Sequence, residues 1–160
     1  MVWNAFPFQV HPGMSSDTIA IASDHGGYEL KSTLIKELEA KGLRVIDLGT
    51  HGLESVDYPA FADAMAQTIR DGKAARGILL CGSGIGISIA ANRHPELRAA
   101  LVHDGLTARL SRQHNDANVL CMGGRLVGPE LAKDCLDIFL KTEFEGGRHA
   151  RRVAQLSRCG

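Results

Sequence analysis

Residues 77–92 read GILLCGSGIGISIAAN. The first five, Gly77–Cys81, are an apolar run without polar alternation, the pattern of a strand covered on both faces. Gly82, Gly84 and Gly86 then surround Ser83 and Ile85, and a helix is expected over Ile85–Asn92. Three glycines let the backbone take positive φ and leave N–H groups uncovered. With a helix start behind them, those donors can cradle a phosphate or a developing oxyanion. A tight strand-to-helix turn without a ligand is the plain alternative.

The same unit recurs on both sides of this stretch. Strands are expected at Thr18–Ser23, Leu43–Leu48, Arg98–His103 and Asn118–Met122. Between them lie amphipathic stretches at Tyr28–Lys41 (closed by Gly42), Pro59 to about Arg70, and Leu106–Arg112. Glu130–Lys141 and Arg148–Leu156 follow as helices around a break at Gly146-Gly147. Five strands interleaved with helices imply an α/β fold, a parallel sheet covered on both faces. Residues 17–160 form the expected single domain. Residues 1–16 read as an extension, disordered or a matter of start-site choice, with Met14 as another start.

Composition narrows the function classes. The chain has 160 residues, enough for one full core, and its 18 Lys+Arg balance 18 Asp+Glu. A zero formal charge argues against nucleic-acid or anionic-membrane partners, which demand a basic surplus. No apolar run approaches the roughly 20 residues that span a bilayer. Cys81, Cys121, Cys135 and Cys159 are widely spaced, with no CxxC pair. They read as reduced thiols of a cytoplasmic protein rather than disulfides or zinc ligands. The N-terminal residues lack the basic, apolar and small-residue regions of a secretory signal.

In open parallel sheets ligands bind beyond the carboxyl ends of the strands. The residues there are Asp24-His25, Cys81 with its glycine turn, His103-Asp104 and Gly123-Gly124-Arg125. Cys81 ends a strand beside a helix start, a placement that favours a thiolate able to act as nucleophile or base. It could equally be a small core residue. A Walker loop would need Gly-Lys-[Ser/Thr], and the dinucleotide fingerprint would need glycine where Ile87 stands. Asp104 could imitate a ribose-binding acid, which keeps a nucleotide binder as an alternative. His114 lies in the polar segment between a helix and a strand, whereas His149 reads as a surface residue. Arg148 and Arg152, four apart, share a helix face and could grip a phosphate or simply be solvated.

The segments SDHGGYELK (23–31), DYP (57–59), CGSGIGISIAANR (81–93), LSRQHNDANVL (110–120), GGRLVG (123–128) and EGGRHARRV (145–153) occur in this order. In them the chain resembles the sugar-phosphate isomerase family that contains ribose-5-phosphate isomerase B and galactose-6-phosphate isomerase. The resemblance runs from about Thr18 to the end. It implies a three-layer α/β/α sandwich with a five-stranded, Rossmann-like parallel sheet. It also implies a homodimer or homotetramer whose active site is shared between subunits, and a reaction without metal or organic cofactor. The expected activity is aldose–ketose isomerisation of a sugar phosphate, foremost ribose 5-phosphate to ribulose 5-phosphate. A tetrose or hexose phosphate, or a non-catalytic sugar-phosphate-binding module, are the alternatives.

By matching position, the resemblance makes Cys81 the base that moves a proton between C1 and C2 of the sugar. Amides of Gly82, Gly84 and Gly86 would form the anion hole, and Ser83 would help with protons on the sugar oxygens. His114 would assist opening of the furanose ring, with Asp24 close to the ring oxygen or hydroxyls. His25, Arg125, Arg148 and Arg152 would hold the phosphate, while Tyr58 and Asn115 contact the sugar. Another branch of the family uses a glutamate on the following helix, but Ile87 and Ile89 leave no carboxylate there. The chain therefore groups with the cysteine-dependent branch. The segment His103–Leu106 is where substrate length would be read.

Overall fold

The structure, a computed structural model, describes residues 17–156. The expected extension at 1–16 and Cys159 lie outside the described residues. The chain runs β1 (Thr18–Ser23), α1 (Tyr28–Ala40), β2 (Arg44–Asp47), α2 (Pro59–Arg70), β3 (Arg76–Cys81) and α3 (Ile85–Ala91). It continues through β4 (Ala99–Leu101), α4 (Gly105–Asn115), β5 (Val119–Gly123), α5 (Pro129–Lys141) and α6 (Arg148–Leu156). The strands form one sheet in the order β2-β1-β3-β5-β4, all neighbours parallel.

Successive side chains of a strand point to opposite faces, so each central strand divides its apolar residues between two cores. Ile19, Ile21, Ile78, Leu80, Leu120 and Met122 pack with α1, α4 and α5. Ala20, Ala22, Leu79, Cys81, Val119 and Cys121 pack with α2 and α3. Helices on both faces of the sheet make the expected three layers. The strand order reverses between β1 and β3, and that switch opens a crevice at their carboxyl ends. Ser23 is the register partner of Leu80, and Cys81 that of Gly123, so Asp24, the 82–86 turn and Gly124 leave the sheet side by side.

Helix α4 is longer than its sequence pattern suggests. It begins on Asp104, whose carboxylate accepts the Thr107 N–H at 2.8 Å, and it ends only at Asn115. No glycine stops it. Asp116 takes the left-handed conformation instead (φ 44°), held by Arg112 at 2.9 Å and Arg98 at 3.1 Å. His114 and Asn115 therefore belong to the last helical turn and not to the polar connection expected from sequence. Asp104 uses its Oδ1 to cap this helix.

Candidate active site

Three tight turns meet at the carboxyl edge of β1, β3 and β5, and glycine is what lets them meet. A Cβ on Gly26 would sit 2.9 Å from the Gly82 nitrogen, and one on Gly124 would sit 2.4 Å from the Gly26 oxygen. Gly84 has φ +78°, and a Cβ there would meet the Leu101 side chain at 2.7 Å and the Met122 carbonyl carbon at 2.8 Å. The backbone is drawn in further by Gly124 N–H donating to the Cys81 carbonyl (2.8 Å) and Arg125 N–H to that of Gly82 (3.0 Å).

Side chains of the expected site converge on this knot. The Sγ of Cys81 accepts the Gly84 N–H at 3.1 Å, and the residue is 4 % exposed. The Arg125 guanidinium lies over Gly82, 3.0 Å from where a Cβ would stand. The Tyr58 ring covers Gly86, whose Cβ would come within 2.6 Å of its Cζ. The Ser83 hydroxyl accepts the Ile85 N–H at 3.2 Å. Asp24 Oδ1 accepts from Gly26 (2.8 Å) and Gly27 (3.2 Å), which fixes the short 3-10 turn His25–Gly27. His25 Nδ1 accepts the Val56 N–H at 3.2 Å, so its proton resides on Nε2, leaving that nitrogen a donor. A cavity of about 390 Å³ borders Arg125 between the starts of α1 and α5.

The remaining expected residues lie elsewhere. Helix α4 leaves the carboxyl end of β4 and returns to the amino end of β5, descending about 16 Å at 1.5 Å per residue. Its last turn therefore brings His114 and Asn115 to the opposite edge of the sheet from Cys81. Asn115 borders a second cavity, of about 400 Å³, with Arg93, Arg98, Ala99 and Leu156. Helix α6 packs on α4 and carries Arg148 and Arg152, both exposed, to the same edge. The expected residues thus fall into two groups at opposite ends of the sheet, one with Cys81, Ser83, Asp24, His25, Tyr58 and Arg125, the other with His114, Asn115, Arg148 and Arg152.

His149 is the residue that sequence reasoning misplaced. It is 7 % exposed, and its ring stacks on that of His114 with centroids 4.3 Å apart and planes 11° apart. Burial, then the neighbouring His114 and Arg148 charges, hold the His149 imidazolium below the usual histidine range. Nothing in a basic, weakly apolar helix marks it for burial. Its spacing of four from Glu145, with Nε2 3.6 Å from that carboxylate, was the one available signal.

The other thiols are sequestered. Cys121 is fully buried, and burial together with Cys81 raises its pKa well above the normal thiol range. Burial, Asp134 and Asp104 push Cys135 up to about 11. Among the described residues, no helix is long and apolar enough to cross a membrane.

Comparison with known proteins identifies the family. Residues 19–156 match the Ribose/Galactose Isomerase family. The chain is 46% identical over 139 residues to ribose-5-phosphate isomerase B of Escherichia coli, covering 87% of this chain and 93% of that protein. Identity with the probable ribose-5-phosphate isomerase B of Mycoplasma pneumoniae is 51%, covering 86% and 91% of the two chains. The solved ribose-5-phosphate isomerase B of Clostridium thermocellum superposes with a TM-score of 0.87 at 52% identity, covering 88% of this chain and 95% of that one. Sequence motifs, sheet order and whole-chain similarity agree: this chain belongs to the Ribose/Galactose Isomerase family of sugar-phosphate isomerases.

Proposed function

We propose that the protein interconverts ribose 5-phosphate and ribulose 5-phosphate through an enediolate, with Cys81 as the base. The observation that carries this reading is the Cys81 sulfur beside the backbone N–H of Gly84, within a glycine knot roofed by Arg125. Removing a proton from carbon next to a carbonyl calls for a base at that carbon and donors aimed at the oxygen that gains charge. The Cys81 thiolate takes the proton from C2 and returns it at C1. Amides of Gly82, Gly84 and Gly86 receive the enediolate oxygens, and the Ser83 hydroxyl passes protons between O1 and O2.

Ring opening and phosphate capture complete the cycle. His25 offers its Nε2 proton and Arg125 its guanidinium to the phosphate, assisted by Arg148 and Arg152 of the partner subunit. His114 of the partner subunit assists furanose opening, with Asn115 of the partner subunit, Asp24 and Tyr58 on the sugar hydroxyls. A remote grip on the phosphate holds the reacting carbon against the base. The two half-sites at opposite sheet edges support a homodimer, because a pentose phosphate is too short to reach both within one chain. Exposed Ile85 and Ile89, one turn apart on α3 beside the Cys81 half-site, offer an apolar face to such a partner.

The direct test is turnover of four-, five- and six-carbon aldose phosphates in chelated buffer, with deuterium incorporation from D2O followed at C1 and C2. The reading predicts fastest turnover of ribose 5-phosphate with solvent deuterium in the product. Faster turnover of a hexose or tetrose phosphate would reassign the substrate. Binding without isomerisation of any of them would leave a sugar-phosphate-binding module.

A further inference from the structure

Helix α6 is basic and largely exposed, with Arg148, Arg151 and Arg152 in solvent, yet its second residue is buried. That residue, His149, stacks on the ring of His114 and has its Nε2 3.6 Å from the Glu145 carboxylate. Two backbone hydrogen bonds fix the junction. Glu145 N–H donates to the Gln113 carbonyl at 3.1 Å, tying the segment before α6 to the residue preceding His114. His149 N–H donates to the Gly146 carbonyl at 3.0 Å, at a turn that Gly146 and Gly147 make with positive φ.

The charges around the pair come from both elements: His114 from α4, Arg148 and Arg152 from α6, and Glu145 from the connection. Like charges face to face repel, and the His149 imidazolium is disfavoured by burial and by the neighbouring His114 and Arg148 charges. The Glu145, His114 and His149 donor atoms lie within 4.8 Å of one another. A metal centre is nevertheless a poor fit. Parallel stacked rings cannot both aim an in-plane lone pair at one ion, and two arginines already supply positive charge.

We propose that His149 is the positioning residue for His114, holding that imidazole by face-to-face contact in the plane that furanose opening requires. This rests on the assignment of His114 to ring opening made above. The role needs a flat, neutral ring and no proton transfer by His149 itself. Its loss releases His114 to other rotamers, so the penalty falls on kcat for ring-closing substrates and not on phosphate binding.

The experiment compares wild type with His149→Ala, His149→Phe, His149→Leu and His114→Asn on ribose 5-phosphate and on a tetrose 4-phosphate, which cannot close a furanose. His149→Ala is expected to lower kcat for ribose 5-phosphate about tenfold, with KM within about twofold and the tetrose phosphate spared. His149→Phe should recover most of the loss, whereas His149→Leu, apolar but not flat, should not. If Ala unfolds the protein, the Phe and Leu variants carry the comparison. Equal activity of Phe and Leu, or a loss confined to KM, overturns the positioning role. His114→Asn is the reference: if it separates the two substrates and His149→Ala does not, positioning alone fails. If His114→Asn impairs both equally, the ring-opening assignment falls first. The His114 ring-proton NMR shift, which moves when a stacked aromatic is removed, reports the contact independently of turnover.

Discussion

The Sγ of Cys81 and the backbone nitrogen of Gly84 are hydrogen-bonded at 3.1 Å, with Gly84 in the left-handed conformation (φ 78°) that points its N–H back at the sulfur. The proposed base and the first donor of the proposed anion hole are therefore one local unit, set by a turn that glycine's positive φ permits.

Removing the sulfur removes the proposed base but not the pocket. Cys81→Ala and Cys81→Ser should lower kcat by about 10³-fold, the scale of a lost general base, while sugar-phosphate affinity stays within a few-fold. Steady-state kinetics and calorimetric binding separate the two quantities. Wild-type-like turnover in the Ala variant would remove Cys81 from the role.

Gly84→Ala tests the turn itself. A left-handed alanine costs about 1–2 kcal/mol, and the collisions with Leu101 and Met122 add an overpacking penalty of about 1–3 kcal/mol. Urea denaturation should show a loss in that combined range, accompanied by a fall in kcat as the N–H leaves the sulfur.

Lys31 and Asp47 test what holds the neighbouring loop. The Lys31 side chain is 1% exposed and its ammonium pairs with Asp47, whose Oδ1 also accepts the Gly49 N–H at 3.0 Å. Asp47→Ala strands a buried charge and should destabilise by on the order of 3 kcal/mol. Lys31→Met combined with Asp47→Asn should recover most of that loss in the same denaturation assay.

Stability should fall at both ends of the pH range. His149 binds a proton less readily folded than unfolded, so its contribution is complete above the unfolded value of about 6.5 and is lost as pH falls below it. Cys121 and Cys135 hold their protons more tightly folded, so stability declines as pH rises past the free-thiol value of about 8.5. Denaturation midpoints from pH 5 to 10 check both limbs, and His149→Phe should flatten the acid limb alone.

Strand and helix placement was legible because the signals are strong: the short unbroken apolar run at 77–81, closed by the glycine turn, is a strand covered on both faces, and Pro59 marks a helix start. The end of α4 was not, because Asp116 replaces the usual glycine and depends on Arg98, distant in sequence, to stay left-handed. The meeting of Asp24, His25, Cys81 and Arg125 was legible because these residues end or follow β1, β3 and β5, which are neighbours in the sheet. The separation of Cys81 from His114 depends on strand order, which spacing does not encode. His149 was missed because its burial comes from a ring stack with a residue 35 positions earlier, not from an apolar pattern.

The most direct measurement mixes Cys81→Ala protein with His114→Asn protein after subunit exchange, using ribose 5-phosphate. Each variant alone should be nearly inactive. In a dimer with shared sites, the mixture should regain about a quarter of wild-type turnover, since half the dimers are mixed and each carries one intact site. A mixture that exchanges subunits yet stays as inactive as its parents would contradict a site built from the two sheet edges of two chains.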